Sequence, residues 1–407
     1  MEEKRLVPKR RFKDYLENWK LKKISDVGEI IGGGTPNTAI KEYWNGSINW
    51  FSPTEIGDKP YVFESQKKIT ELGLQYSSAK VLPAQKTVLF TSRAGIGDMA
   101  ILAKDAATNQ GFQSIVVKED SDVYFIYSMG FKIKEYALKN ASGSTFLEIS
   151  GKELSKAPVV VPEVKEQEKI GQFFKVLDKR IVNQEKKIAK VKALKEAYLS
   201  EMFPQEGETV PKRRFRGFND NWIEKSIGDM YRVSTGYPFS SKDFKLKGLY
   251  KVITNKNIQD QDRKMEKNYS YVNNLGNLII ESYRLIGQNV LVSMDGEVGI
   301  TGRFSDEKAL LAQRVARIEG DNLEFLYQFT KRKQFIRDMD NISVGNIIKH
   351  ISLNQIRDYI IKVPKQIEEQ EKIAAFFKNL DDQIEAEEAK LEKLKKMKKA
   401  YLEEMFV

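Results

Sequence analysis

Residues 7–12 read VPKRRF, and residues 210–215 repeat these six letters at an offset of 203 positions. The offset holds far beyond this stretch, because residues 167–170 and 370–373 both read QEKI. Further pairs at the same offset are Trp19 with Trp222, Phe173 with Phe376, Phe174 with Phe377, Leu177 with Leu380, Asp178 with Asp381, Tyr198 with Tyr401 and Met202 with Met405. Chance does not produce so many identities at one offset, so the chain contains two copies of one module.

The regions between these matches have diverged. Residues 21–160 and 224–362 share only sparse echoes. The echoes are Ser92 and Gly95 with Ser293 and Gly296, and Gln110 with Gln313. We infer that the retained part of the module performs one structural task twice, and that the changed parts recognise two different things.

The retained part has the pattern of a long helix. From Val164 to Phe203 the one helix-breaking residue is Gly171, and Pro162 and Pro364 stand just before the two helical stretches, where a missing N–H costs nothing. Apolar residues recur at spacings of three and four, which predicts one apolar face on a rod of roughly 60 Å. In the first copy they are Ile170, Phe173, Phe174, Leu177, Ile181, Ile188, Val191, Leu194, Tyr198 and Met202; the second copy has Ile373, Phe376, Phe377, Leu380, Ile384, Leu391, Leu394, Met397, Tyr401 and Met405.

Each apolar face needs a partner, and the simplest partner is the other helix. An antiparallel pair avoids a connection that runs back along the rod. The predicted fold class is therefore α/β (α+β), with two mixed α/β globular units at opposite ends of an antiparallel two-helix coiled coil and an internal pseudo-twofold repeat. The alternative is that each helix packs on its own globular unit.

The diverged regions read as mixed α/β structure with short strands and many turns. Predicted strands in the first copy cover 87–91 and 113–117, and those in the second cover 289–293 and 314–318. Small-residue loops follow at 93–98 and 295–299. Such loops let a partner approach the backbone closely, and they serve equally well as plain hairpin turns.

Of the net charge of +11, +10 lies outside the long helices, because 163–203 and 365–407 together contain 19 Lys and Arg against 18 Asp and Glu. The excess is uneven: residues 225–364 contain 22 basic and 16 acidic residues, whereas 21–162 contain 16 and 15. A basic surplus on globular units suits a polyanion such as DNA, although many soluble proteins are mildly basic.

The sequence lacks the residues that several kinds of catalytic, metal or cofactor site require. The chain has no Cys, and His350 is its single histidine, so thiolate sites, zinc clusters and His-based triads are unavailable. Residues 151–153 lack the hydroxyl and upstream glycine of a phosphate loop, and Gly32-Gly33-Gly34 lacks the dinucleotide spacing. The N-terminus has no apolar signal segment, and no run approaches a membrane span. We expect a soluble cytoplasmic protein without catalytic site, metal or cofactor.

Three motifs resemble the specificity subunit of type I restriction–modification systems. They are the Pro-…-Glu-Gln-x-x-Ile-x-x-Phe-…-Leu-Asp helix entry in both copies, the loop Gly33-Gly34-Thr35-Pro36…Glu42-Tyr43-Trp44-Asn45-Gly46…Asn49-Trp50, and Ser142-Gly143-Ser144-Thr145 before the first long helix. The resemblance covers essentially the whole chain. The second copy departs from it with Gly236-Tyr237-Pro238 and Ser343-Val344-Gly345-Asn346.

The resemblance implies a non-catalytic adaptor in which each globular unit is a target recognition domain that reads one half of a split, asymmetric DNA site. The paired helices would set the gap and dock two methyltransferase subunits, while adenine methylation, translocation and cleavage would belong to the methyltransferase and restriction subunits. The expected segments are 1–20 (N-terminal segment), 21–162 (first recognition domain), 163–203 (first helix), 204–224 (linker repeating the N-terminal segment), 225–364 (second recognition domain) and 365–407 (second helix).

Base reading needs hydrogen-bonding side chains on loops, whereas backbone contacts position the protein. For the first unit we predict DNA contacts by Thr35, Trp44, Asn49, Ser92, Arg93, Gln110 and Thr145. For the second we predict Asn255, Lys256, Asn257, Arg284, Asp295, Gln313 and Asn346. For each residue a capped turn or plain surface is the alternative. The clusters 9–11 and 212–214 are expected to touch phosphate, and their identity excludes them from specificity.

Two rival functions remain at this point. One is a coiled-coil scaffold whose globular units bind protein, which predicts no DNA sequence preference and little salt dependence. The other is a nuclease with an unrecognised site, which predicts metal-dependent cleavage by the isolated chain.

Overall fold

The structure is a computed structural model, and it describes residues 6–57, 59–93, 95–143, 147–258, 268–273, 275–345 and 347–407. The chain folds into two compact units. Unit 1 contains Met1–Lys187 and Glu388–Val407, and unit 2 contains Ile188–Glu387. Each unit therefore combines a globular part with portions of both long helices.

Unit 1 begins with short strands and helices and ends in the first long helix. Its strands are β1 (Lys20–Lys23), β2 (Gly28–Gly32), β3 (Trp44–Phe51), β4 (Tyr61–Val62), β5 (Lys67–Ile69), β6 (Thr87–Phe90), β7 (Met99–Leu102), β8 (Ala106–Thr108), β9 (Gln113–Val117) and β10 (Pro158–Val161). Its helices are α1 (Ile24–Val27), α2 (Glu71–Gln75), α3 (Val123–Ser128), α4 (Gly130–Asn140), α5 (Gly151–Leu154) and α6 (Val164–Glu201), which continues into unit 2.

Unit 2 repeats this order. Its strands are β11 (Ile223–Ser226), β12 (Arg232–Thr235), β13 (Tyr250–Ile253), β14 (Ser270–Val272), β15 (Arg284–Leu285), β16 (Val290–Ser293), β17 (Thr301–Arg303), β18 (Asp306–Leu311), β19 (Val315–Glu319) and β20 (Ile360–Val363). Its helices are α7 (Ile227–Met230), α8 (Asn277–Tyr283), α9 (Leu323–Thr330), α10 (Lys333–Ile342), α11 (Leu353–Arg357) and α12 (Ile367–Met405), which returns to unit 1. Short 3-10 turns cover Lys41–Tyr43, Pro53–Glu55, Ser241–Asp243 and Asn255–Asn257.

The sheets of the two units correspond. Unit 1 has sheets of order β1-β10, β2-β9-β6-β7-β4 and β5-β3-β8, and unit 2 has β11-β20, β12-β19-β16-β17 and β14-β13-β18-β15. The pairs β3·β8 and β13·β18 are parallel, and β6·β9 and β16·β19 are antiparallel. The four predicted strands appear as β6, β9, β16 and β19, because runs rich in β-branched residues suit buried sheet positions.

The two long helices pack antiparallel within each unit. In unit 1, Lys398 Nζ lies 2.6 Å from Asp178 Oδ1 and Lys395 Nζ lies 2.8 Å from Glu185 Oε1. As the residue number rises along α6, the number of the partner residue in α12 falls, which is the pattern of antiparallel helices. In unit 2, Lys195 Nζ lies 2.5 Å from Asp381 Oδ1. The predicted mixed fold class and the antiparallel helix pair are confirmed.

The retained helix-entry motif has a specific packing role. The Gln167 side chain donates to the Pro162 carbonyl at 2.9 Å, and Gln370 donates to Pro364 at the same distance. Gln167 Oε1 also accepts from the Asp122 backbone N–H at 3.1 Å. These buried amides fasten the start of each long helix to its own unit, which explains why both copies keep the glutamine.

Candidate nucleic-acid interface

A hydroxyl group organises the same hairpin loop in each unit. Thr91 Oγ1 donates to the Gly95 carbonyl at 2.6 Å and accepts from the Asp98 N–H at 2.9 Å. Ser293 Oγ donates to the Glu297 carbonyl at 2.5 Å. The hydroxyl replaces backbone partners in a turn too tight for strand pairing. Thr91 therefore corresponds to Ser293, which corrects by one residue the pairing of Ser92 with Ser293 made from the sequence.

Four loops of unit 1 come together around this hairpin. The Ser92 N–H donates to the Gly111 carbonyl at 2.8 Å, and the Ser92 carbonyl accepts from Ile149 at 3.0 Å. The backbones of Ser142 and Glu148 exchange hydrogen bonds of 3.0 and 2.9 Å. The loops thus joined are loop A (33–36), loop B (91–98), loop C (109–112) and loop D (142–148), of which Ala94 and 144–146 are outside the described residues.

Unit 2 repeats these contacts with different side chains. The Met294 N–H donates to the Arg314 carbonyl at 3.1 Å, and the Met294 carbonyl accepts from Ile351 at 2.9 Å. The backbones of Val344 and His350 exchange bonds of 2.9 and 2.8 Å. Loops A to D of this unit are 236–238, 293–300, 312–315 and 344–350, with Asn346 outside the described residues. We call this group of loops the four-loop surface of each unit.

Three predicted contacts lie on the four-loop surface of unit 1. Thr35 in loop A hydrogen-bonds with the exposed side chain of Gln110 in loop C. Arg93 in loop B is half-buried and forms a backbone bridge with Glu148 of loop D. Ser92 lies directly below and is fully buried. Thr145 belongs to loop D but lies outside the described residues.

The remaining predicted residues of unit 1 stand behind loop A. Trp44 packs edge-on against Trp50 with ring centroids 5.1 Å apart, and Trp50 Nε1 donates to the Gly34 carbonyl at 2.8 Å. Trp44 is half-buried. Asn49 is buried, and its Oδ1 accepts from the backbone and hydroxyl of Ser65 at 3.3 Å. Trp44 therefore supports loop A through Trp50, whereas Asn49 holds the segment that contains Ser65.

In unit 2, Asp295 and Gln313 lie on the four-loop surface. Asp295 in loop B accepts from Arg314 Nη1, and its Oδ1 lies 2.5 Å from Nδ1 of His350. Gln313 in loop C is exposed, and its N–H donates to the Tyr237 carbonyl at 2.9 Å. Asn346 of loop D lies outside the described residues.

The other four predicted residues of unit 2 lie outside the four loops. Asn255 Oδ1 accepts from the Met294 N–H at 3.3 Å, and Lys256 beside it is exposed. Asn257 is buried, and its Oδ1 accepts from Thr254 at 2.8 Å as a cap. Arg284 is half-buried on the neighbouring β15.

Arg284 stands over a buried cation. Arg317 Nη1 donates to the Arg284 carbonyl at 3.1 Å. Burial lowers the pKa of Arg317, and the nearby Glu319 opposes this effect. Arg284 Nε is itself buried without a hydrogen-bond partner among the described residues. Arg317 also forms an ion pair with Glu319 at 3.1 Å, which balances its charge beneath this part of unit 2.

Sequence reasoning missed Tyr237, Arg314 and His350. Arg314 has a φ of 72°, which only the backbone geometry reveals. His350, the single histidine of the sequence, contacts Asp295. The one available signal was the position of Tyr237 in the Gly-Tyr-Pro segment that replaces Gly-Thr-Pro.

The arginines of the two basic clusters form ion pairs with glutamates. Arg11 forms two hydrogen bonds of 2.7 Å with Glu166, and Arg10 pairs with Glu404. In unit 2 the equivalent pairs are Arg214 with Glu369 and Arg213 with Glu201. These arginines fasten the segments 7–12 and 210–215 to the long helices, and the phosphate contact expected of the clusters 9–11 and 212–214 stays a prediction.

The described residues contain no group of acidic or histidine side chains arranged to hold a metal ion. Within the same residues, no helix combines the length and apolarity required to cross a bilayer.

Two units that present different side chains on one shared loop framework define a modular protein with two related loop surfaces. The family model described as "Type I restriction modification DNA specificity domain" matches this chain twice, at residues 16–193 and 219–396. The chain belongs to this family.

Individual relatives agree with this assignment. The MjaIX specificity subunit of Methanocaldococcus jannaschii is 34% identical over 232 residues, which cover 54% of this chain and 53% of that subunit. The EcoR124I/EcoR124II specificity subunit of Escherichia coli is 33% identical over 177 residues, covering 41% and 42%. The chain thus spans about half the length of these curated relatives. The crystal structure of a type I S subunit from M. genitalium has a TM-score of 0.63 at 14% identity over 98% of this chain and 99% of that one, a likeness of fold.

Proposed function

We propose that this chain is the DNA-recognition subunit of a type I restriction–modification complex, and that each unit reads one half of a bipartite, asymmetric site. The observation that carries the proposal is the four-loop surface. The same backbone hydrogen bonds, Ser92 to Gly111 and Met294 to Arg314, hold different side chains in the two units. A shared frame with changed side chains is what two related readers of different sequences require.

DNA is the partner that the charge favours. Outside the long helices the chain contains 49 Lys and Arg against 39 Asp and Glu. Several of the arginines pair with carboxylates, but Arg93 and Lys256 have no acidic partner among the described residues. Free cations beside loops neutralise phosphate and release counterions, so we expect affinity to fall steeply with salt.

The proposed readers are the predicted residues on or beside the four-loop surface whose side chains are exposed or half-buried, together with Thr145 and Asn346, which lie outside the described residues. In unit 1 they are Thr35, Arg93, Gln110 and, on loop D, Thr145. In unit 2 they are Asn255, Lys256, Asp295, Gln313 and Asn346. Asn49, Ser92 and Asn257 are assigned to structural support because they are buried. Trp44 and Arg284 are half-buried but lie outside the four loops, and they are assigned to the same role.

The retained surfaces are proposed to bind partners shared by both units. Each unit has the same helix entry, with Glu166 or Glu369 buried against an arginine. Two equivalent surfaces would dock two methyltransferase subunits, which would supply adenine methylation, and restriction subunits would supply translocation and cleavage. The paired helices would set the spacer between the half-sites.

A unit exchange tests this proposal. Residues 21–162 are replaced by the corresponding domain of a relative with another target, and the complex with its methyltransferase subunits is tested for methylation. We expect one half of the recognised sequence to change while the other half and the spacer persist. A matched exchange of 225–364 should change the opposite half.

Two outcomes would contradict the proposal. If both exchanged complexes methylate the original sites, the units do not carry specificity. If the native chain has no sequence preference and little salt dependence, the scaffold function fits better.

A further inference from the structure

The four-loop surface of unit 2 contains an arginine in an unusual backbone conformation. Arg314 of loop C has a φ of 72°, in the left-handed region that residues with long side chains seldom adopt. Its carbonyl accepts the Met294 N–H at 3.1 Å, which fastens loop C to loop B. Unit 1 has Gly111 at the equivalent position. Such conformations concentrate at binding sites, and this arginine belongs to unit 2 alone.

Asp295 braces the guanidinium from one side. Arg314 Nη1 lies 3.2 Å from Oδ1 and 3.0 Å from Oδ2 of Asp295. Nδ1 of His350 lies 2.5 Å from the same Oδ1. Because a carboxylate only accepts, Nδ1 of His350 is the donor in this contact. Asp295 is thereby held from two directions, which orients the arginine before any ligand binds.

The rest of the guanidinium is available. The Arg314 side chain is 54% exposed, and its Nε and Nη2 make no hydrogen bond to any described residue. A surface ion pair contributes little to folding stability, so the brace is better explained by orientation than by stability. Nε and Nη2 therefore form one planar edge of the guanidinium, whose two parallel donors do not bind Asp295.

We infer that Arg314, braced by Asp295, reads a guanine in the half-site of unit 2. The inference rests on the proposed function and names the base that this surface selects. Guanine offers two acceptors, O6 and N7, on its major-groove edge, and a planar arginine edge binds both. Adenine presents a donor beside N7, cytosine presents a donor, and thymine offers a single acceptor, so none of them matches two parallel donors.

The test is a selection from random-sequence duplex DNA by the full chain in its methyltransferase complex, followed by competition with single-base variants of the selected site. The native complex should have a guanine in one half-site whose replacement weakens binding about 5- to 100-fold. Arg314→Ala should reduce this preference to about twofold or less, and leave the other half-site unchanged. Asp295→Asn should weaken the same preference, because the brace loses its charge.

Arg232→Ala is the matched control. Arg232 is an exposed arginine of the same unit, at the end of β12 away from loop A, where its backbone lies opposite Glu319 of β19. This variant should retain the guanine preference. Thermal unfolding identifies a variant that does not fold, and Asp295→Asn then carries the test by itself.

The possible results distinguish a failure of this inference from a failure of the proposed function. An unchanged guanine preference in Arg314→Ala, or an equal loss of affinity for every sequence as expected of a phosphate contact, overturns the inference. A native complex that selects no sequence contradicts the proposed function instead.

Discussion

Arg11 donates two hydrogen bonds of 2.7 Å to the carboxylate of Glu166, which stands 155 residues later in the chain. Arg214 and Glu369 repeat this geometry with the same separation, at 2.7 and 2.8 Å. Both glutamates are 1% exposed. The hydrogen bond to Glu166 raises the pKa of Arg11. One buried ion pair therefore joins the short repeated segment to the long helix in each unit.

Arg11→Ala should destabilise unit 1 strongly, because it leaves the Glu166 carboxylate buried without its partner. Removal of one member of a buried pair costs about 3–5 kcal/mol of unfolding free energy. Chemical denaturation of the full chain measures the effect. Arg10→Ala is the control, since Arg10 pairs with Glu404 at the surface, and it should change stability little. Equal effects of the two substitutions would contradict the assigned role.

A circular permutant should fold and bind the same DNA. The segment 7–12 contacts the end of α12 through Arg10 and Glu404, as 210–215 contacts the end of α6 through Arg213 and Glu201. Val407 is joined directly to Met1, and the chain is opened between Glu206 and Gly207. Phe203 and Val210 are seven steps apart along the chain, so the eight steps from Phe406 to Val7 across the new bond suffice.

Circular dichroism and DNA selection check this permutant. A control permutant opened between Lys187 and Ile188, inside α6, should lose both structure and binding. Loss of binding by the first permutant, with its secondary structure intact, would contradict the equivalence of the two segments.

Four helix-forming residues inserted in both long helices should lengthen the recognised spacer and leave both half-sites unchanged. The insertions follow Lys187 and Lys390, which are matched by the repeat and lie between the pairs Asp178–Lys398 and Lys195–Asp381 along the helices. Each insertion adds about 6 Å of helix. Mapping of methylated adenines reads the spacer. An insertion in α6 alone is the control and should impair the complex. An unchanged spacer with both insertions would show that the paired helices do not set the distance between the half-sites.

Acid should weaken unit 2 partly through Asp306. The hydrogen bond from Lys251 lowers the pKa of Asp306, so this contribution to stability is present above the unfolded pKa near 4 and is lost as the pH falls through the folded value. Lys251→Met should therefore flatten the decline of unfolding free energy below pH 4. Lys242→Met, at an exposed lysine of the same unit, is the control. An identical acid profile in Lys251→Met and the native chain would exclude the contribution.

The repeat made the helices and several strands predictable. Identical letters at one offset define equal structures, and the apolar spacing in α6 and α12 fixes their contact face. The four-loop surface was not predictable in the same way. Ser92 meets Gly111 and Ile149 through backbone atoms, and backbone hydrogen bonds between distant residues leave no pattern in side-chain types.

Burial decided which predicted residues face outward. Asn49 and Ser92 have the residue types of readers, yet both lie inside unit 1. In the opposite sense, the charged cluster around Arg11 has the composition of a surface but forms a buried pair. The sequence did contain a signal for this pair. The cluster around Arg11 is identical in both copies, and so is the helix entry that contains Glu166.

The central claim, that each unit reads one half of a split DNA site, is tested most directly by sequencing methylated adenines in genomic DNA from cells with and without this gene. The account predicts methylation at a two-part motif with a fixed spacer, and its complete loss when the gene is absent. Unchanged adenine methylation without the gene, or a single uninterrupted motif that depends on it, would contradict the account.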